Sequence, residues 1–279
     1  MSVKRNVGLK DLTSIRIGGK AKRLLVVNSR KEACLIVRKI GFSFYILGNG
    51  SNILVKDCLI ERPVITLGRR FNYLVQKGEY LDVGASTSLS FLVKYCIRNN
   101  LSGLENLSGV PAQIGGLVAM NASAFGTNVS DLIQSVEVVN KNGEIEHLKK
   151  KQIQFSYRFS SLENYIVLSV RLGLKNSTNI KEKVRKILKK RFVSQECYLP
   201  SCGSIFKNPQ GDKAGLLIDS CGLKGAEKGG AQVSVKHANF IVNKCSACYS
   251  DVEYLIRRIK DRVYSKYSVF LKEEVKRWV

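Results

Sequence analysis

The sequence predicts an α+β chain in which strands and helices mix without a regular βα repeat. Three observations carry this. Short β-prone apolar runs recur at uneven spacing, segments of helical period stand between them, and glycine-rich loops interrupt both. Residues 23–28 are apolar and β-prone. Residues 30–40 place Ala33, Val37 and Ile40 at helical spacing, and 44–47 are strand-like again. Ile53–Val55 begins another apolar run directly after a turn, so 44–55 reads as strand, tight loop, strand. Residues 80–84 form a further strand. Leu89, Leu92, Val93 and Cys96 give 88–99 a helical period. Val136–Val139 and Ile145–Leu148 flank Asn142-Gly143, a strong hairpin signal. Tyr165–Leu174 is a strand. Ile180–Arg191 and Asp251–Tyr267 are amphipathic helices, with stripes at Val184, Ile187, Leu188 and at Val252, Leu255, Ile256, Ile259, Val263.

A chain of 279 residues can hold two or three small domains, and 44 % hydrophobic content marks it as globular. No apolar run approaches the ~18 residues of a membrane span, and the first residues lack a secretion-signal core, so the cytoplasm is the expected compartment. The eight cysteines at 34, 58, 96, 197, 202, 221, 245 and 248 are scattered, and in a reducing compartment they read as buried small hydrophobes. Cys245-Ser-Ala-Cys248 alone, without a second pair or nearby histidines, points to no metal, and Ser250-Asp251 beside it suits a helix cap. The net charge of +24 fits anionic ligands. It also fits nucleic acid, but the basic residues are dispersed and no aromatic-interleaved motif accompanies them, so neither nucleic acid nor a membrane is the expected partner.

Two loops point to a bound ligand. Gly48-Asn49-Gly50-Ser51-Asn52 lets backbone approach a ligand and present consecutive N–H groups to an anion. It has no Lys-Ser/Thr of a P-loop, and no helix opens after its glycines. Alone, such a turn is more often an ordinary hairpin. The second loop, GLENLSGVPAQIGGLVAMNASAFG at 103–126, carries Gly109, Gly115 and Gly116 among alanines and serines. Such small side chains leave room for a molecule against the backbone. Together the loops favour a diphosphate-containing cofactor, and a side chain added at Gly50 or Gly116 is expected to collide with it.

The pairing of GNGSNILVKD with GVPAQIGGLVAMNASAFG resembles the flavin-binding half of UDP-N-acetylenolpyruvoylglucosamine reductases. The resemblance runs nearly end to end, through LTSIRIGGKAKRLLV at 12–26, FSYRFSSL at 155–162, LPSCGSIFKNP at 199–209, AGLLIDSCGLKGAEKGGAQVSVKHANFIVN at 214–243 and FLKEEV at 270–275. It implies a vanillyl-alcohol-oxidase-type two-part FAD-binding fold at 1–66 and 67–178, followed by a C-terminal α+β substrate-binding domain at 179–279. Residues 268–279 would pack back on the first part. It also implies the shorter subclass of the family, a monomer, bound FAD, NADPH as hydride donor, and UDP-N-acetylglucosamine enolpyruvate as substrate. A different flavin oxidoreductase of the same cofactor fold is the competing reading.

The resemblance assigns roles to particular residues. Arg158 would clamp the substrate carboxylate, a task for which a planar guanidinium is suited, although a structural salt bridge would also explain an arginine between Tyr157 and Phe159. Ser204, otherwise an ordinary loop serine, would give a proton to carbon. Glu274 aligns with the second glutamate of the family's Leu-Glu-Pro-Glu-Val, while Glu273 stands where the proline would be, which leaves a one-residue ambiguity. Lys207 is a potential helper of Ser204. Asn208, Lys224 and His237 fall where relatives hold the diphosphate or uridine, and His237 would serve equally as a packing residue. The chain departs from the pattern at Ala112-Gln113, Glu196 and Val235, and Gln113 bears on cofactor contacts.

Overall fold

The computed structural model describes all 279 residues. The chain divides into two compact units. Unit 1 comprises residues 1–5, 23–49 and 62–189, and unit 2 comprises 6–22, 50–61 and 190–279. Six α-helices are spaced along the chain: α1 (Arg30–Ile40), α2 (Leu89–Arg98), α3 (Ile114–Ala119), α4 (Ile180–Ser194), α5 (Ala214–Ser220) and α6 (Tyr249–Tyr267).

In unit 1, α1 starts at Ser29, whose side chain accepts from the Glu32 N–H, and stops at Gly41, which has φ +58°. Its Ala33, Ile36 and Val37 are buried with Leu25, Val27, Ile65 and Leu168. Beside it, Leu24–Val27 pairs in parallel with Val64–Leu67, which pairs in parallel with Tyr45–Ile46. A second large sheet of unit 1 is antiparallel. Its strands run Ile145–Lys149, Ile133–Val139, Ile166–Gly173, Tyr80–Gly84, Leu74–Lys77 in spatial order. One face buries Leu81, Val83, Val136, Val138, Val170 and Leu172 against α2 and α3 residues, because side chains alternate along a strand. The Asn142-Gly143 hairpin forms as expected, with Val139 opposite Ile145 and Gly143 at φ +73°. Asn140 Oδ1 accepts from the N–H groups of Asn142 and Glu144 and closes the turn.

In unit 2, Ser201–Ser204, Phe240–Asn243, Ala231–Val233 and Glu227–Lys228 form a four-stranded antiparallel sheet. Helix α6 buries Val252, Leu255, Ile256, Ile259 and Val263, the stripe visible in its sequence, against Ile205, Phe206, Val233 and Ile241. Asp251 Oδ2 accepts from the Cys248 N–H and so stabilises the helix start.

Two expectations change. The Gly48–Asn52 turn does not join a hairpin. Tyr45–Ile46 lies beside Val64–Ile65, whereas Ile53–Val55 pairs in parallel with Lys276–Trp278 at the far end of the chain. Parallel pairing depends on distant segments, which a local pattern does not reveal. The cysteines are also less buried than expected. Only Cys96 and Cys202 are buried, and burial pushes both thiols up to about 12. Cys58, Cys197 and Cys245 are exposed.

Candidate active site

The site residues gather in two clusters, one in each unit. In unit 1, Asn49 Nδ2 donates to the Pro111 carbonyl at 2.9 Å, which ties the first glycine loop to the second. A Cβ placed on Gly48 would lie 3.5 Å from Gln113 Oε1, so the side chain that departs from the family pattern sits beside the first loop. Helix α3 carries Gly115 and Gly116 with different neighbours. Gly115 is pressed on Ala85, where a Cβ would come within 3.0 Å of another Cβ. Gly116 has nothing within 4 Å of that position. Gly109 has φ +83°, a left-handed conformation that suits glycine.

Arg158 stands at the tip of a two-residue turn between Phe155–Ser156 and Phe159–Ser160, with φ +55°. Backbone strain of this kind is uncommon outside glycine and asparagine, and here the surroundings hold it. Ser160 Oγ donates to the Ala119 carbonyl at 2.7 Å, and Asn121 Nδ2 donates to the Ser156 carbonyl at 2.8 Å. The hairpin is therefore fastened to the end of α3. Arg158 Nη1 donates to the Ser123 hydroxyl at 2.7 Å and to its carbonyl at 3.1 Å. These bonds orient the guanidinium from one edge. Ser123 and the buried Asn121 were not foreseen, although their position in the small-residue loop is the signal that marks them.

In unit 2, the second half of the first glycine loop meets Ser204 and Glu274. Ser14 N–H donates to the Gly50 carbonyl, and Ser14 Oγ donates to the Ser201 carbonyl at 2.6 Å. A Cβ on Gly203 would have the Ser51 carbonyl oxygen at 3.9 Å. Gly203 has φ +76°, and the register slips between Ser201 and Ser204. This irregularity re-aims the next side chain, Ser204, a device common near functional sites. Beyond it, Phe206 faces Glu273 across an isolated bridge, and the Glu274 N–H donates to the Ile205 carbonyl at 2.8 Å. Asn52 Nδ2 donates to the Glu274 carbonyl at 3.1 Å. Ser204, Glu274 and Asn52 thus lie on three adjoining backbone segments.

The two terminal glutamates differ. Glu273 receives two bonds from Arg277, at 2.7 and 2.9 Å, and pairs with Lys260. Burial raises its pKa, but the Arg277 and Lys260 partners outweigh burial and hold the carboxyl below its usual range. Its carboxylate is committed to holding α6 and the C-terminal strand together.

Asn239 is a third residue that the sequence did not single out. It is 4 % exposed, accepts from the Phe206 N–H at 2.9 Å and donates to the Phe206 carbonyl at 2.8 Å. It replaces the ladder bonds that the irregular strand loses. The signal was a polar residue beside the apolar run Phe240–Val242.

Asn208 Oδ1 accepts from the Ala214 N–H at the start of α5. Lys224 pairs with Asp219 at 2.6 Å. The His237 ring lies 4.7 Å from the Phe240 ring, and its Nδ1 accepts from the Asn239 N–H. Burial, and then the nearby Lys224 charge, lower the His237 pKa. The folded state therefore takes up a proton at lower pH than the unfolded chain. Stability should fall as pH drops below about 6.5, the ordinary histidine value, and stop falling below the folded value. In His237→Gln this part of the pH dependence of Tm should vanish. An unchanged difference in Tm between pH 7 and pH 5.5 would mean that His237 is not a buried neutral group.

Residues 25–149 match the FAD binding domain family, and residues 194–278 match the C-terminal domain of UDP-N-acetylenolpyruvoylglucosamine reductase. A reductase of that name from Alkaliphilus oremlandii is 37 % identical over 96 % of this chain and 90 % of its own. One from Caldanaerobacter subterraneus is 38 % identical over 97 % and 92 %. The chain belongs to the UDP-N-acetylenolpyruvoylglucosamine reductase family. The crystal structure of the Thermus caldophilus reductase superposes over the whole of both chains with TM-score 0.88 at 38 % identity. The fold is the expected α+β one, a two-part flavin-binding region joined to the family's own C-terminal domain.

The residues present fit FAD. Gly116 leaves open space on the surface of α3, and the Gly48 and Asn49 N–H groups take no backbone carbonyl as partner. Gly50 has a different reason to be glycine. At φ +62° a Cβ there would stand 2.1 Å from the Leu12 carbonyl oxygen, so the chain's own backbone forbids it. Gly50→Val should therefore fail to fold. Gly116→Val should purify folded, with flavin absorbance per protein reduced several-fold. Full flavin content in Gly116→Val would remove this residue from the cofactor site.

Proposed function

We propose that the chain reduces UDP-N-acetylglucosamine enolpyruvate to UDP-N-acetylmuramate, an oxidoreductase step of cell-wall precursor synthesis that uses FAD as bound cofactor and NADPH as reductant. The observation that carries the reading is the cluster of unit 2, where Ser204 and Glu274 adjoin within a full-length match to this reductase family. We read 1–66 and 67–178 as the flavin-binding parts and 179–279 as the substrate-binding part. The proposal places the enzyme in the cytoplasm as a monomer, serving cell shape and division. No helix of the chain is long and apolar enough to cross a membrane.

FAD, when bound, supplies the hydride chemistry. The chain's residues do the rest. Arg158, braced by Ser123, holds the substrate carboxylate. Glu274 stabilises charge that develops next to it. The Ser204 hydroxyl gives the proton to C2. Gly48, Asn49, Gly50, Ser51, Asn52, Gly109, Gly115 and Gly116 form the cofactor loops. Asn208, Lys224 and His237 receive the diphosphate and uridine.

The direct test is NADPH oxidation with and without UDP-N-acetylglucosamine enolpyruvate. Stoichiometric formation of UDP-N-acetylmuramate is expected, and substrate-independent oxidation alone would refute the assignment. Arg158→Lys keeps the charge and loses the two-point geometry. Flavin reduction by NADPH should survive while substrate turnover falls by roughly 10²-fold. Equal loss in both half-reactions would make Arg158 a structural residue.

A further inference from the structure

The antiparallel sheet of unit 1 has a second face that the reductase chemistry does not use. Successive cross-strand partners on it are Val75, Asp82, Arg171, Ser135 and Lys149. The next row holds Ser169, Glu137 and His147. With Arg30 of α1, Tyr73 and Lys77 these residues line a cleft of about 570 Å³. That volume lies in the range of small-molecule sites.

The charges in the cleft do not cancel. Arg30, Lys77, Lys149 and Arg171 face two carboxylates, Asp82 and Glu137. Both carboxylates are already engaged. Arg171 Nε and Nη2 donate to Asp82 at 2.7 and 2.8 Å, and Lys77 approaches it at 3.2 Å. Arg30 Nε and Nη2 donate to Glu137 at 2.7 Å each, and Ser169 Oγ adds a bond of 2.9 Å. Burial raises the Glu137 pKa, but the Arg30 and Ser169 bonds prevail and keep it an anion. Hydrogen bonds to Arg171 likewise hold Asp82 ionised, against a smaller effect of burial. A guanidinium has five N–H groups, so a two-point pair fixes its plane and leaves donors over. The arginine side chains remain 47 % and 40 % exposed, so these pairs add little stability as a plain salt-bridge ladder. They do hold two guanidinium groups still at the wall of a cleft with a cationic surplus.

We propose that this cleft binds a small phosphate ester. The phosphate would sit among Lys77, Lys149 and Arg171, with the organic part over Tyr73 and Val75. The ligand class follows from the donors, since oriented guanidinium and ammonium groups suit a multiply charged oxyanion. None of the residues given a catalytic, cofactor or substrate role lines the cleft. Its success or failure is therefore independent of the reductase reading.

The test uses the FAD-loaded protein with ¹⁵N-labelled arginine. Inorganic pyrophosphate is titrated at constant ionic strength while the Nε–Hε signals of Arg30 and Arg171 are followed. Saturable shifts at both are expected. Lys149→Glu reverses an exposed charge at a strand end without touching the core, and should weaken binding roughly tenfold or more, the scale of one charge-assisted bond. Non-saturable shifts, shifts reproduced by chloride, or an affinity unaltered in Lys149→Glu would overturn the proposal. So would a single-stranded RNA that displaces pyrophosphate more tightly than a mononucleotide does, since the face would then be a nucleic-acid surface.

Discussion

Ser204→Ala should slow reoxidation of reduced flavin by the enolpyruvyl substrate by roughly 10²-fold or more, the scale of losing a positioned general acid. FAD content and flavin reduction by NADPH should stay near wild type. The structure supports this separation. Ser204 is half-exposed, and its strand is held by backbone bonds and by Asn239 rather than by the serine hydroxyl. Removing one oxygen there leaves the core untouched. Ser204→Cys should recover part of the rate, because a thiol also carries a transferable proton. Rapid-mixing absorbance of the flavin follows each half-reaction. Wild-type reoxidation in the alanine variant would reduce Ser204 to a loop residue and pass the proton to Glu274 or water.

How far the sequence led differs from element to element. Helices α1, α2, α4 and α6 lie within two or three residues of their expected ends, because each has an apolar stripe that one local window contains. The Asn142-Gly143 hairpin was legible for the same reason, as its turn chemistry is local. Pairing across distance was legible only through the resemblance, which implied that residues 268–279 pack back on 1–66 and named no partner strand. Ile53–Val55 finds its partner at Lys276–Trp278, and nothing in either triplet specifies the other. That pairing sets the Glu274 backbone beside Asn52. The candidate residues were marked by motif resemblance. The groups that brace them, Ser123, Asn121 and Asn239, are small polar residues whose value depends on backbone that comes close only after folding. Gly50 illustrates the same limit. Its glycine reads as room for a ligand, and the Leu12 carbonyl already requires it with no ligand present.

Glu274→Gln and Glu273→Gln should fail in opposite ways, and this pair separates neighbours that the sequence leaves ambiguous. The Glu273 carboxylate joins Lys260 of α6 to Arg277 of the last strand, and Arg277 also donates to Glu253 at 2.9 Å and to the Tyr249 hydroxyl at 3.2 Å. Substituting glutamine removes the charge that two cations share in a half-buried setting. Breaking one partner of such a network costs about 1–3 kcal/mol, which should appear as a Tm several degrees lower. Because the folded pKa of Glu273 is depressed, its contribution is present above about pH 4.5 and is lost as pH falls through the folded value. The stability difference between wild type and Glu273→Gln should therefore shrink toward acid, while turnover at pH 7 and moderate temperature stays within a few-fold of wild type. Glu274→Gln should do the reverse. Its backbone bonds to Ile205 and Asn52 do not pass through the carboxylate, so the segment that carries it should stay in place. Loss of the carboxylate removes charge stabilisation next to the reacting carbons, and substrate turnover should fall by roughly 10²-fold or more with flavin reduction by NADPH preserved. The two variants would be compared by thermal melts across pH and by half-reaction kinetics. If Glu273→Gln were the one that lost turnover while Glu274→Gln melted early, the catalytic role would belong to Glu273, and the alignment of the last motif would have to shift by one residue.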